Sequence, residues 1–133
     1  MHLEISMKGI QMDLLKKIND NEAIIGVVGL GYVGLPLLME FVDQKFKTIG
    51  FDVDVRKVDK LNAGKSYIKH IDEARVKKVR DTNIFEATTD FGRIKEVDCI
   101  LICVPTPLNK YREPDMSYIV NTAKVLSKNI RKN

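Results

Sequence analysis
What this sequence lacks narrows its function first. No apolar run approaches the ~20 residues that a membrane-spanning helix requires, so no membrane partner is expected. Residues 1–20 mix Lys, Glu and Asp with their apolar side chains and have no compact apolar core. Nothing there reads as a signal peptide, and the expected location is the cytoplasm. No run of Lys and Arg carries interleaved aromatics, and the net charge of +4 is spread along the chain, so no nucleic-acid partner is expected. A solvated surface accounts for that charge, and the same lean helps to attract an anionic ligand. Cysteine is scarce. Cys99 and Cys103 lie four apart in Cys99-Ile100-Leu101-Ile102-Cys103. On a strand both point to one face with Leu101 between them, too far apart for a disulfide. They are expected to be buried core thiols, with neither a metal-binding nor a catalytic role.

What is present suits one soluble globular domain. The 133 residues are 44% hydrophobic and 30% charged, enough for one core but not for two. Strand-like and helix-like segments alternate. Ile10, Leu14, Leu15 and Ile18 have helical spacing and predict an amphipathic helix over 10–19, the main part of an N-terminal extension over residues 1–22. Ala23 to Val28 is a short continuous apolar run, as a strand buried on both faces requires. Val33, Leu37, Leu38, Phe41 and Val42 predict a helix, with Pro36 in its first turn. Lys47 to Asp52 reads as a second strand. Asp54 to Asn62 reads as a helix stopped near Gly64. A short charged helix over Asp72 to Arg80 and a strand over Ile84 to Thr88 follow. Asp98 to Val104 reads as a buried strand, ended by Pro105-Thr106-Pro107. Asp115 to Ile130 reads as a helix capped by Asp115 or Ser117, with Ile119, Val120, Ala123, Leu126 and Ile130 on one face.

This alternation predicts an α/β fold, a Rossmann-type doubly wound parallel sheet over residues 23–133. The chain stops just after a helix, where such a sheet would supply another strand, so a truncated domain is expected. A half-finished sheet leaves an unpaired edge and bare apolar helix faces. The chain is therefore expected to form a homo-oligomer, or to cover that surface with its N-terminal helix.

The chemistry is concentrated in Gly29-Leu30-Gly31-Tyr32-Val33-Gly34. The pattern G-x-G-x-x-G is weak alone, but here a buried strand precedes it, a helix follows it, and an acid, Asp52, ends the next strand close to ~20 residues downstream. Gly29 permits the tight turn, Gly31 lets a pyrophosphate approach the backbone, and Gly34 lets helix and strand pack closely. The helix N-terminus offers N–H groups and a positive dipole end to phosphates. Asp52 would accept hydrogen bonds from the ribose hydroxyls of the adenosine and repel a 2′-phosphate, so NAD is favoured over NADP. Arg56 and Lys57 leave two readings open: contacts to adenine, ribose or a phosphate, or solvated charges on a helix face. Thr106 is equally open on spacing alone, as a hydroxyl for cofactor ribose or phosphate at a strand end, or as a turn residue facing water.

Together, Gly29 to Pro36, Gly50-Phe51-Asp52 and Val104-Pro105-Thr106-Pro107 resemble the N-terminal domain of the UDP-glucose/GDP-mannose dehydrogenase family. The resemblance runs from about Ile24 to Ile130. Ser66-Tyr67-Ile68-Lys69-His70-Ile71 resembles the branch acting on UDP-N-acetyl-hexosamines, in which the sugar C6 hydroxyl is oxidised to a carboxylate. The alternatives within the family are UDP-glucose and GDP-mannose 6-dehydrogenases. The resemblance implies cofactor contacts from the backbone of Tyr32 and Val33 and from Asp52, Arg56 and Thr106. It also implies two successive reductions of NAD, with an aldehyde captured by an enzyme thiol and released as the acid through a thioester. The family's catalytic Cys lies in a later part of the full protein, so Cys99 and Cys103 do not match it, no catalytic residue is assigned here, and the chain alone is expected to be inactive. His70 is expected to be structural or close to the nucleotide-sugar substrate. Two other classes compete: a stand-alone NAD-binding module, and an S-adenosylmethionine-dependent methyltransferase, which shares the glycine-rich turn and the acid.

Overall fold
The computed structural model describes residues 13–131. Residues 13–19 are helical. The remainder of the expected N-terminal helix, residues 10–12, and the extension before it lie outside the described residues.

Four short parallel strands form one sheet in the order β3-β2-β1-β4. They are β1 (Ile25–Val28), β2 (Thr48–Phe51), β3 (Phe85–Thr88) and β4 (Cys99–Ile102). The helices are α1 (Gly34–Asp43), α2 (Val55–Asn62), α3 (Glu73–Asp81) and α4 (Ser117–Asn129). β1 and β2 are buried along their whole length, as their unbroken apolar character requires between two layers of helix.

Alternation along the strands divides the core. Ile25 and Val27 join Leu35, Leu38, Met39 and Val42 of α1 in one cluster. Val28, Ile49 and Phe51 meet Ile94, Val97 and Leu126 on the other face. The α1 stripe falls at i, i+3, i+4 and i+7. It is displaced from the expected one: Leu37 and Phe41 are half-buried, and Val33 is exposed because it precedes the first helical residue.

Local signals set the boundaries. The Asp54 carboxylate accepts from the Arg56 amide and caps α2. Gly64, at φ 74°, ends the run while the Lys65 amide donates to the Lys60 carbonyl. The outer edge of β3 is blocked by a side chain. Asn62 donates to the Ala87 carbonyl at 2.9 Å and accepts from its amide at 3.0 Å, in place of a further strand. A 3-10 helix (Phe91–Glu96), absent from the expected elements, is capped by Asp90 and adds Ile94 to the second core. Two tight turns of this kind are too short to carry a periodic signal.

Several expectations are corrected. β4 is an edge strand and only half-buried, because it pairs with β1 alone. Cys99 and Cys103 accordingly share one face, as alternation demands, but are half-buried rather than enclosed. Neither Asp115 nor Ser117 is the N-cap of α4: Met116 is, although Asp115 does accept from the Ser117 amide at 2.9 Å. The inward side of α4 is Ile119, Thr122, Leu126 and Asn129, while Val120, Ala123 and Ile130 are exposed. The polar Thr122 sits inward because α4 leans on the 3-10 helix and on a cleft rather than on a second strand layer. Finally, Leu14, Leu15 and Ile18 of the N-terminal helical segment remain exposed. The described part of the segment is tied to the amino end of the sheet through Lys17 and Asp98, 3.3 Å apart.

Candidate functional site
The site lies where the strand order reverses. From β1 the chain runs through α1 to β2 on one side, whereas β4 joins β1 on the other. The carboxyl ends of these strands bound a crevice, the usual ligand position in an open parallel sheet. A cleft of about 570 Å³ opens there. Gly29 lines it just after β1, Asp52 just after β2, Lys57 from α2, Phe91 from the 3-10 helix, Pro105 from the segment after β4 and Tyr118 from α4. A groove of about 630 Å³ at the opposite end of the sheet is lined by Lys17, Asp98 and Arg131, whose charges already pair with one another.

Each glycine of the turn meets a different constraint. Gly29 sits at φ 96°, and a Cβ there would come 2.6 Å from the Cys103 carbonyl oxygen, against the end of β4. A Cβ on Gly34 would fall 1.7 Å from the Gly29 carbonyl oxygen, so α1 can start this close to the turn only without a side chain. A Cβ on Gly31 would meet nothing within 4 Å. Protein packing therefore does not explain Gly31, and the free space above it is available to a ligand. No described side chain caps the N-terminus of α1, which leaves its first amides to an anion. Tyr32 and Val33 are exposed beside it, and Leu30 is wholly buried.

Asp52 is 8% exposed, and both of its carboxylate oxygens are held. One accepts from the Leu30 amide and the other from the Asp54 amide, each at 2.9 Å. The carboxylate is thus fixed at the cleft mouth with lone pairs left for further donors. Lys57 Nζ stands 4.0 Å from it and 5.8 Å from the centre of the Tyr67 ring.

The two basic residues left open by the sequence separate here. Lys57 lines the cleft. Arg56 does not: its guanidinium grips Asp54 at 3.0 and 3.1 Å, and its side chain is 85% exposed. That hydrogen-bonded pairing holds the Asp54 carboxyl below its ordinary pKa. Arg56 thus stands at the start of α2 outside the cleft lining, its guanidinium held by the carboxylate two residues earlier. Thr106 is exposed, one residue beyond the cleft-lining Pro105.

Burial pushes the thiol pKa of Cys99 and of Cys103 up, and neither lines the cleft, so both remain protonated packing groups. His70 is exposed in the loop before α3. Among the described residues no cluster of His, Cys, Asp and Glu could hold a metal ion, and no helix is long and apolar enough to cross a membrane. Tyr67 was missed by sequence reasoning. Its hydroxyl donates to the Leu30 carbonyl, 37 positions away, and no local pattern announces that contact.

An anchored acid, an uncapped helix start and an open glycine fit the ribose and pyrophosphate of a dinucleotide. Comparison with known proteins agrees. Residues 23–133 match the model for the NAD binding domain of the UDP-glucose/GDP-mannose dehydrogenase family. Protein CapL of Staphylococcus aureus is 38% identical over 104 residues, covering 78% of this chain and 23% of the relative. UDP-N-acetyl-D-mannosamine dehydrogenase of Escherichia coli K12 is 37% identical over 112 residues, 83% of this chain and 26% of that enzyme. The crystal structure of a GDP-mannose dehydrogenase ternary complex from Pseudomonas aeruginosa superposes with a TM-score of 0.76 at 34% identity, over 82% of this chain and 26% of that one. The chain thus spans about a quarter of the length of these relatives.

Proposed function
From the premise that this chain belongs to the UDP-glucose/GDP-mannose dehydrogenase family, as its NAD-binding domain, we propose that the whole protein oxidises the C6 hydroxyl of a UDP-N-acetyl-hexosamine to a carboxylate. The anchored Asp52 carboxylate carries the cofactor part of this reading. It accepts the adenosine ribose hydroxyls, and the Lys57 ammonium beside it donates to the same pair. The turn from Gly29 to Gly34, with the amides of Tyr32 and Val33, takes the pyrophosphate at the start of α1. The exposed Thr106 hydroxyl is free to bond the cofactor beyond the end of β4.

Bound NAD supplies a hydride acceptor for each of the two oxidation steps. The residues described here bind and orient it, and the chain by itself is inactive because neither of its thiols reaches the cleft. The hexosamine assignment is supported by the names of the curated relatives and by the Ser66–Ile71 segment. GDP-mannose is the second reading, favoured by the superposed ternary complex. The family match removes the methyltransferase alternative.

Titration of the chain with NAD and NADP tests the cofactor part. NAD is expected to bind in preference to NADP. Gly31→Ala is expected to abolish binding while shifting the melting temperature by no more than about 2 °C, since its Cβ enters empty space. Asp52→Asn is expected to erase the preference and to cost about 1–2 kcal/mol of stability, because an amide cannot accept from both the Leu30 and Asp54 N–H groups. Equal binding by wild type and Gly31→Ala would refute the placement of the pyrophosphate.

A further inference from the structure
The glycine-rich turn is held by two side chains that grip consecutive peptide units. Asp52 takes the Leu30 N–H, which belongs to the peptide unit joining residues 29 and 30. The Tyr67 hydroxyl donates to the Leu30 C=O, which belongs to the unit joining residues 30 and 31. The described chain contains no cis peptide bond. In a trans unit the C=O and N–H point in opposite directions. Holding the Leu30 N–H on Asp52 therefore turns the Gly29 carbonyl the other way, which is the side where it meets the start of α1. By the same rule, holding the Leu30 carbonyl on Tyr67 turns the Gly31 N–H away from the Tyr67 loop. Gly31 is the glycine of the turn with free space above it.

We propose that Tyr67 is a positioning residue for the cofactor: by fixing the Leu30 carbonyl it aims the Gly31 N–H at the pyrophosphate of a dinucleotide. The inference rests on the NAD-binding reading given above and adds to it a residue from outside the glycine-rich turn.

The loop that presents Tyr67 is itself fixed. Ile68 and Ile71 are buried on either side of Lys69 and His70. The Ser66 hydroxyl donates to the Ile68 carbonyl at 3.0 Å and accepts from its amide at 3.2 Å. The Tyr67 ring is half-buried, and Lys57 stands over it. Burial, with the nearby Asp52 and Asp54 charges, pushes the phenol above its ordinary pKa, which favours the protonated form that donates this hydrogen bond. Leu30 is wholly buried, and among the described residues the Tyr67 hydroxyl is the hydrogen-bond partner its carbonyl has. The ring and the hydroxyl serve different ends of the cofactor: the ring supports Lys57 at the ribose end, and the hydroxyl sets the turn at the phosphate end.

That separation gives the test. Wild type, Tyr67→Phe and Tyr67→Leu are titrated by calorimetry with adenosine, ADP-ribose and NAD, and their melting temperatures are recorded. Tyr67→Phe keeps the ring under Lys57 and loses only the hydroxyl. It is expected to weaken ADP-ribose and NAD by about 3- to 10-fold and to leave adenosine unchanged. Tyr67→Leu, which loses both features, is expected to weaken adenosine as well. A purely structural hydroxyl would lower the melting temperature and leave the ratio of ADP-ribose to adenosine affinity where it was, and that result overturns the proposal. Failure of wild type to bind ADP-ribose or NAD overturns the cofactor reading and this inference together. Wild-type binding matched by Tyr67→Phe overturns this inference alone.

Discussion
The two faces of the sheet are built to different standards. On one face α1, α2 and α3 close over β1, β2 and β3, and Leu35, Leu38, Met39, Val42 and Leu61 are within 1% of complete burial. On the other, α4 and the 3-10 helix enclose a smaller cluster, in which Leu126 is the one buried residue of α4. The closed face holds the helix whose start is left without a side-chain cap, and the half-open face leaves the cleft. The difference teaches that rigidity is concentrated where backbone amides must be aimed, and room is left where a ligand must enter.

The sharpest way to break this contrast is Gly34→Ala. Its Cβ meets backbone rather than a flexible side chain, so α1 must move off the turn. A loss of about 4 kcal/mol or more in urea unfolding is expected, together with loss of NAD binding. A stability change under about 1 kcal/mol would show that the close approach is dispensable. The two cores can then be compared directly. Leu38→Ala on the closed face is expected to cost about 4 kcal/mol, and Leu126→Ala on the open face about 2 kcal/mol, because half-exposed neighbours there can relax into the space. Equal costs would mean that the second face is as tightly packed as the first.

The smallest effect concerns the amino end of the sheet. Burial raises the pKa of Asp98, but the Ile24 amide, Lys17 and Arg131 outweigh it and hold the carboxyl below its ordinary value. Asp98 therefore contributes stability that is present above its unfolded pKa, about 4, and is lost as pH falls through the lower folded value. Because Lys17 and Arg131 are well exposed, solvent and salt screen much of this contribution. Urea midpoints measured from pH 6 downward should fall below about pH 4 in wild type and fall less in Asp98→Asn. Parallel curves would show that the carboxylate contributes nothing specific.

Legibility followed the range of the interactions. The turn from Gly29 to Gly34, the acid at Asp52 and the two central strands could be read from sequence because each is a local pattern with a single physical use. The half-burial of β4 could not, because an apolar run looks the same at the centre of a sheet and at its edge. The face of α4 was misread for a related reason: Val120, Ala123 and Ile130 fit a helical stripe, but the helix leans on a cleft and on a 3-10 turn that has no sequence period. At the site, Arg56 and Lys57 were indistinguishable by type and spacing. In the structure the Asp54 carboxylate holds the first, and the second stands beside Asp52.

The sequence by itself determined the α/β class, the glycine-rich turn and its acid, because backbone freedom at Gly29, the absence of a side chain at Gly31 and the charge of Asp52 belong to single residues. Only the tertiary structure decided which basic side chain faces the cleft, and that Tyr67 reaches across to the Leu30 carbonyl. Those contacts join residues that are distant in sequence or depend on how neighbouring side chains divide their partners, and no local propensity records the outcome.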